Sequence, residues 1–275
     1  WRLHLPYQID LYDNFEGFGQ ARLPGMKPAL RWATRHADLV TTTSEPLRER
    51  IVRDYRATGE VIAMPSTVDR SVFKPSDREA CRRALGLPMD AVLIGTAGGL
   101  YRDKGIGALY DAWAMISAKH PQAHLVLAGP YSPSLPLPRG ERVHYLGQLP
   151  HARTAELFAA LDLGVIYLRD TPFGRYCFPQ KAYEMLATGL PVVSAAIGAM
   201  VPLLADAPAS LYRADDPADL ARAVDAQLEH RYLPQVVIDD WATIVARLEP
   251  RLQAVAMRQP AFIPLAIRPS PRSKR

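Results

Sequence analysis

The sequence predicts an α/β protein built on a doubly wound parallel sheet. From Ala91 onward, strand-like apolar runs alternate with helix-like amphipathic runs, the pattern of βαβ units with right-handed crossovers. Asp38-Leu39-Val40-Thr41-Thr42-Thr43 is a β-branched run typical of a buried strand. Residues 178–193 read as a helix that opens beside Pro179, closes at Gly189 and passes straight into another buried strand.

Taken in order, residues 6–13 form a strand, followed by a polar, glycine-containing loop through Gly25 and a short helix near 28–36. After the run at Asp38, Ser44 is placed to cap a helix that tolerates Pro46 in its first turn and continues to about Tyr55. Residues 61–64 are a strand, 65–75 a linker, and 77–85 a helix ended by Gly86-Leu87-Pro88. Residues 92–97 are a strand. In the helix at 104–120, Ile106, Leu109, Tyr110, Trp113 and Ile116 recur at three-to-four spacing. Strands at 124–128 and 143–146, a helix at 153–161 and a strand at 163–167 lead into the helix beside Pro179. Residues 210–213 are a strand and 216–228 a helix. A last amphipathic helix, 240–256, puts Trp241, Ile244, Val245 and Leu248 on one face. The basic, proline-rich tail is expected to be disordered.

Composition narrows the function classes. A chain of 275 residues suggests about two domains, and 48% hydrophobic with 22% charged residues is ordinary for a globular protein. No apolar run approaches the ~20 residues of a membrane-spanning helix. The net charge of +5 suits anionic small molecules or an acidic membrane surface and falls short of a nucleic-acid signature. Cys81 and Cys177 match no metal or redox spacing, so reduced thiols in a cytoplasmic protein are expected. The seven histidines form no pair at ligand spacing, and no metal is expected. The start at Trp1, almost at once in a strand-like stretch, reads as the middle of a domain, so a fragment is expected.

Two places carry candidate chemistry. Gly95-Thr96-Ala97-Gly98-Gly99-Leu100-Tyr101-Arg102-Asp103-Lys104-Gly105 is a strand, a glycine turn and a helix start, where a ligand can approach the backbone and free N–H groups favour anions. Lys104 and Arg102 add positive charge that suits a diphosphate. A tight turn with a solvated lysine fits the same residues. Glu184 sits mid-helix among Ala182, Tyr183, Met185, Leu186 and Ala187, where an unpaired charge is costly. It either accepts hydrogen bonds from a ribose cis-diol or pairs with a base at the helix surface.

In their order along roughly residues 7–255, several motifs resemble glycosyltransferase family 4, retaining enzymes of the GT-B fold. Ala37-Asp38-Leu39-Val40 with Ser44 is similar to one family segment. Pro65-Ser66-Thr67-Val68-Asp69 with Phe73-Lys74-Pro75 is similar to another, with Ser66-Thr67 in place of Asn-Gly. Gly98 with Lys104-Gly105 resembles the phosphate loop, and Leu125-Val126-Leu127-Ala128-Gly129 the strand after it. Lys181, Glu184 and Gly189-Leu190-Pro191-Val192-Val193 resemble the donor-site signature.

The resemblance implies a partial N-terminal, Rossmann-like acceptor-side domain with its linker (1–75) and a doubly wound nucleotide-sugar domain (76–239). It further implies a helix returning toward the first domain (240–257), ahead of the tail (258–275). It implies Lys104 on the donor diphosphate, Glu184 on the ribose, and a phosphate cradle with Gly98, Gly99, Arg102, Phe178, Pro179, Gln180 and Lys181. Gln148 falls at the nucleobase pocket or caps a turn. Tyr12, Asp13 and Asn14 fall at the acceptor side, where the family often has a histidine; the loop after them either lines the acceptor site or is plain surface.

Two departures stand out. Gly99 occupies the place of a phosphate-binding arginine, for which Arg102 or Arg175 could substitute or simply be surface charges. Tyr176 occupies the place of a first glutamate, which relatives with a "P-x-K-x-x-E" variant also lack. The activity implied is transfer of a sugar from a nucleotide-diphosphate donor with retention, without cofactor or metal. The acceptor is a glycan or lipid-linked, and the protein either is free in the cytoplasm or touches the inner face of the membrane. The rival readings are a non-catalytic GT-B nucleotide-binding protein and a GT-B sugar-nucleotide epimerase.

Overall fold

Two parallel sheets organise residues 5–17 and 19–258, which the computed structural model describes. Trp1, His4, Phe18 and the tail from Gln259, about which the sequence raised expectations, lie outside the described residues. The first sheet has the order β1-β2-β3, from β1 (Gln8–Leu11), β2 (Leu39–Thr42) and β3 (Glu60–Ala63). All four residues of β2 are buried, as its β-branched run predicts. Helix α1 (Met26–His36) precedes β2, and α2 (Glu45–Arg50) follows it. Ser44 Oγ accepts the Leu47 N–H at 3.3 Å, so the expected cap forms. Beyond Arg50 the helix widens into a π-turn, Ile51–Tyr55, in which Ile51 and Tyr55 are both buried.

The second sheet holds six parallel strands in the order β6-β5-β4-β7-β8-β9. They are β4 (Val92–Ala97), β5 (Ala123–Ala128), β6 (Val143–Tyr145), β7 (Leu163–Ile166), β8 (Val192–Ala195) and β9 (Leu211–Tyr212). Successive strand residues face opposite layers. Leu93, Val126, Ile166 and Val192 pack with α3 (Arg78–Leu85), α5 (His151–Ala160) and α6 (Gln180–Ala187). Ile94, Leu125, Val165 and Val193 pack with α4 (Gly107–Lys119) and α8 (Pro217–Glu229). The chain runs outward from β4 to β6, then returns to β7 on the other side of β4. The β4–β7 boundary is therefore the topological switch point, where such sheets bind ligands at their carboxyl ends.

One expectation needs correction, and two features went unread. Lys104 does not open a helix: Arg102–Lys104 is a 3-10 turn, Gly105 takes φ 99°, and α4 starts at Gly107. The left-handed glycine breaks the apolar periodicity that made the segment read as one helix. In α9 (Trp241–Ala256) only Ile244 is buried, whereas Trp241 and Val245 are each 54% exposed. This helix is tied to the first sheet's unit by ion pairs instead, Arg251–Glu60 at 2.9 Å and Arg258–Asp38 at 2.6 Å. Finally, the short α7 (Met200–Leu203) went unread, because four residues with an internal proline display no period.

Further polar contacts join the two units. Asn14 Nδ2 donates to Pro172 O at 2.9 Å, Ser44 Oγ donates to Tyr176 O at 2.8 Å, and Thr67 Oγ1 donates to Asp239 O.

Within the larger unit, Arg82 is 5% exposed and locks α3 to the sheet. Its guanidinium meets Asp162 Oδ2 at 2.6 Å and the carbonyls of Ala160, Met89 and Ala91, while the same Oδ2 accepts the Leu93 N–H at 2.8 Å. Arg78 also holds Asp162, at 2.6 Å from Oδ1, so loss of Arg82 leaves the carboxylate one cation but removes the donor shared by three carbonyls. Arg82→Met should lower unfolding free energy by about 2 kcal/mol in urea titration; a loss under about 0.5 kcal/mol would remove Arg82 from the account of stability.

Candidate functional site

The carboxyl ends of β4 and β5 are followed by glycines that let the chain segments close on one another. Gly98 (φ 109°) donates its N–H to Ala128 O at 3.0 Å, and Gly129 (φ 124°) donates to Gly147 O at 2.7 Å. A Cβ on Gly129 would stand 2.1 Å from Gly98 O, so only glycine permits this approach. Above this floor lies a cavity of about 330 Å³. Ala97 and Gly98 line it from β4, Ala128 to Pro130 from β5, Gln148 and Leu149 from the loop after β6, Thr154 and Phe158 from α5, and Gln180, Lys181 and Glu184 from α6.

Helix α6 delivers two opposite charges to that wall. Ala182, Met185 and Leu186 are buried in the core below the sheet face, and their spacing leaves Lys181 and Glu184 together on the other side. The Glu184 side chain is 15% exposed. Its Oε1 has Gln180 Nε2 at 3.5 Å and His151 Nε2 at 4.0 Å, and that Gln180 amide is already committed to Thr67 O at 2.8 Å. Burial holds the Glu184 carboxyl above its ordinary range, with Gln180, His151 and Lys181 opposing the shift. Such a carboxylate retains acceptor capacity for paired hydroxyl donors.

Lys181 projects toward the switch point. Its Nζ lies 3.4 Å from Thr96 Oγ1 on β4 and 4.3 Å from the centroid of the Tyr167 ring beyond β7. Burial brings its pKa down to about 8, against the attraction of Glu184 and with the help of the Lys104 charge. Tyr167 fixes the same corner by donating its hydroxyl to Gly99 O at 2.9 Å.

The remaining sequence-predicted residues lie around this cavity rather than on its wall. Lys104 Nζ sits 3.9 Å above the Phe173 ring, and its charge reaches Lys181, Asp13 and Cys177. Asp13, from the first unit, has its carboxyl raised by burial, with Lys104 opposing the rise. Arg102 is exposed on its turn, and Arg175 is exposed and paired with Asp170. Gly99 leaves no room for a larger residue unless the Tyr101 ring shifts, since a Cβ would meet that ring at 2.8 Å.

Phe178 packs on Tyr183 with ring centroids 4.7 Å apart, and Pro179 is buried. Tyr176 faces the first unit, under the Arg50 guanidinium at 4.8 Å. Tyr12 is exposed, edge-on to Phe15, whereas Asn14 is buried and accepts from Arg50 Nη1 at 2.6 Å. Cys177 is a buried free thiol with its pKa pushed up to about 11.

The sequence reading missed Thr96, Tyr167, Thr154, Phe158 and His151. Of these, only His151 carried a signal, standing directly after Pro150 at a helix start. The others reach the site through strand register and helix facing, which local pattern does not encode. One histidine contact also went unread: His124 Nδ1 and His144 Nε2 lie 2.9 Å apart across β5 and β6, as a hydrogen-bonded pair. They are 20 residues apart in sequence, and only strand pairing brings them together.

The chain is similar to known proteins in sequence and in fold. Residues 91–230 match the family model described as "Glycosyl transferases group 1". A D-inositol 3-phosphate glycosyltransferase of Stackebrandtia nassauensis is 34% identical over 206 residues, covering 68% of this chain and 45% of that protein. One from Geodermatophilus obscurus is 30% identical over 232 residues, covering 78% of this chain and 50% of that protein. The chain thus spans about half the length of the curated relatives it matches.

Among solved structures, sucrose-phosphate synthase from Thermosynechococcus elongatus aligns with a TM-score of 0.67 at 25% identity, over 86% of this chain and 64% of that one. Anabaena HepE, in complex with UDP and glucose, aligns with a TM-score of 0.62 at 22% identity, over 94% of this chain and 68% of that one. The fold is GT-B-like.

Gly129→Ala should force the Gly98 loop away from β5 and reshape the cavity floor. We expect at least about 1 kcal/mol of destabilisation, from the left-handed φ and the overlap together. Unchanged stability in thermal and urea melts would contradict the contact.

Proposed function

The chain belongs to the glycosyl transferases of group 1, and from that premise we propose that it takes a nucleotide-diphosphate sugar and transfers the sugar to an acceptor hydroxyl with retention at the anomeric carbon. The observation that carries this reading is the cavity at the switch point. It brings a partly satisfied carboxylate and an enclosed cation to one wall, opposite the glycine floor. Glu184 accepts from the two ribose hydroxyls, Gln148 and Leu149 border the nucleobase, and the diphosphate lies toward Gly98. A neighbour of like fold, Anabaena HepE, was also solved with UDP-glucose. No cofactor or metal enters this reading. Two features support an acceptor, a glycan or a lipid-linked one, entering from the side of the first unit: Asp13 within reach of the Lys104 charge, and Asn14 hydrogen-bonded to Pro172.

The chemical task is to stabilise charge on the departing diphosphate while an oxocarbenium-like centre forms. Fixed cations and backbone N–H groups aimed at the phosphates do most of this work. Glu184 contributes position rather than proton transfer. Lys104, parked on Phe173, is free of any carboxylate ion pair among the described residues and can swing to the diphosphate.

One observation favours a second reading, a nucleotide-binding protein without transfer. Among the described residues no guanidinium lines the cavity: Arg175 is paired with Asp170, and Gly99 stands at the loop. Sugar-nucleotide hydrolysis or transfer separates the two. We expect turnover with at least one sugar nucleotide, and Lys104→Ala should lower it by roughly a hundredfold while shifting stability by less than about 0.5 kcal/mol. Equal loss of turnover and stability would sink the role of Lys104, and binding without any turnover would favour the second reading.

A further inference from the structure

Glu184 has two polar neighbours, and both bear on the same linker. The Gln180 amide carries two N–H donors. It meets Thr67 O at 2.8 Å and Glu184 Oε1 at 3.5 Å. Both neighbours are acceptors, which sets the amide with its nitrogen toward them. On the other flank His151 Nε2 lies 4.0 Å from the same Oε1, and its ring stands edge-on to the buried Phe73, with centroids 4.8 Å apart. Thr67 and Phe73 belong to segment 65–75, the first passage of the chain between the units. Both contacts of the carboxylate fall on Oε1, which leaves Oε2 to a ligand.

Thr67 also catches the second passage. The chain returns toward the first sheet's unit along 230–240, between α8 and α9, and Thr67 Oγ1 donates to Asp239 O. Asp239 in turn pairs with Arg247 of α9 at 2.6 Å. Thr67 is 3% exposed and does not line the cavity. It stands where the family pattern has glycine, a residue with no hydroxyl to close this clasp. The clasp is thus something this chain adds to the pattern.

Resting on the reading above, we infer that Gln180 is a positioning residue that sets the Glu184 carboxylate for the ribose 2′-hydroxyl, and that it ties this carboxylate to the clasp between the two inter-unit segments.

A glutamate loses rotamer freedom when a ligand orders it, and a neighbour that restrains it beforehand removes part of that cost. A free glutamine could not do this, because it is as flexible as the glutamate it restrains. Here the 2.8 Å bond to Thr67 O holds the amide, and the contact with Asp239 holds Thr67. Val68 and Phe73 from one passage, with Leu233, Val236 and Ile238 from the other, pack on the larger unit's core and support the clasp from below. Order passes from clasp to amide to carboxylate. By linkage, a ribose that orders the carboxylate stabilises the clasp by the same free energy.

Isothermal titration calorimetry with UDP and 2′-deoxy-UDP tests this, with ADP and 2′-deoxy-ADP as a second pair. The wild-type chain should prefer a ribonucleotide roughly tenfold or more. Gln180→Met, checked for folding by circular dichroism, should cut that preference to about threefold or less and leave 2′-deoxy affinity nearly unchanged. Thr67→Val removes the hydroxyl away from the cavity and should lower the preference roughly threefold, whereas Thr67→Ser should keep it. In the wild-type chain, which needs no substitution, amide hydrogen exchange at 65–69 and 236–240 should slow more with UDP than with 2′-deoxy-UDP at equal saturation. Equal weakening of both nucleotides in Gln180→Met, an unchanged preference in Thr67→Val, or equal exchange with the two nucleotides overturns the inference and leaves the ribose reading of Glu184 standing. If the wild-type chain binds no nucleotide, or binds ribo and deoxy forms alike, the ribose reading fails and the inference fails with it.

Discussion

The site rests on a constraint imposed by helix α6. Eight residues must bury Ala182, Met185 and Leu186 against the sheet and, on the same turns, hold an ammonium and a carboxylate out of bulk water. Desolvation acts on both charges in opposite directions, lowering the Lys181 pKa and raising that of Glu184. Their mutual attraction, three residues apart, does not cancel either shift. The helix therefore retains unspent polar capacity at the end of β4, which a polyanionic, hydroxyl-bearing ligand can use. The surrounding elements hold α6 in that position. Gly98 and Gly129 bring the strand ends close, Tyr167 ties the β7 side to Gly99, and Gly189 turns the chain from α6 into β8.

Much of this was legible in the sequence because the larger unit obeys simple patterns. Apolar runs of strand length alternate with periodic helices, and Asp77, Asp216 and Asp240 cap α3, α8 and α9 by accepting the N–H three residues on. The joint presence of Gly98, Gln148, Gln180, Lys181 and Glu184 on one wall follows from the parallel topology, which brings the carboxyl ends of β4 and β5 beside the start of α6. What escaped was long-range or irregular. Thr96 and Tyr167 look like ordinary strand residues until the β4–β7 neighbourhood places them around one ammonium. The break at Gly105 was hidden by apolar spacing on either side of it. The exposure of the α9 face went unread, because periodicity reports amphipathicity without saying whether a partner covers the apolar face.

The boundary between the units shows how the first sheet can take part in chemistry centred on the second. Segment 169–179 leaves β7, carries Phe173 beneath Lys104, offers carbonyls to Asn14 and Ser44, and then enters α6. Arg50 organises the facing side, pairing with Glu16, donating to Asn14 and stacking over Tyr176. Tyr176, a departure from the family pattern, thus has a packing role at this seam. A movement of the segment would be felt at once by Lys104, by the acceptor-side residues and by the start of α6. Among the described residues no helix is long and apolar enough to cross a membrane.

A crystal structure of the chain with a bound nucleoside diphosphate tests the central claim most directly. The account predicts a phosphate oxygen within hydrogen-bonding distance of Lys181 Nζ, with the Thr96 contact lengthened or exchanged for it, and the two ribose hydroxyls on Glu184. A nucleotide bound with its phosphates on Lys104 or Arg102 alone, and Lys181 still closed against Thr96 and Tyr167, would contradict it.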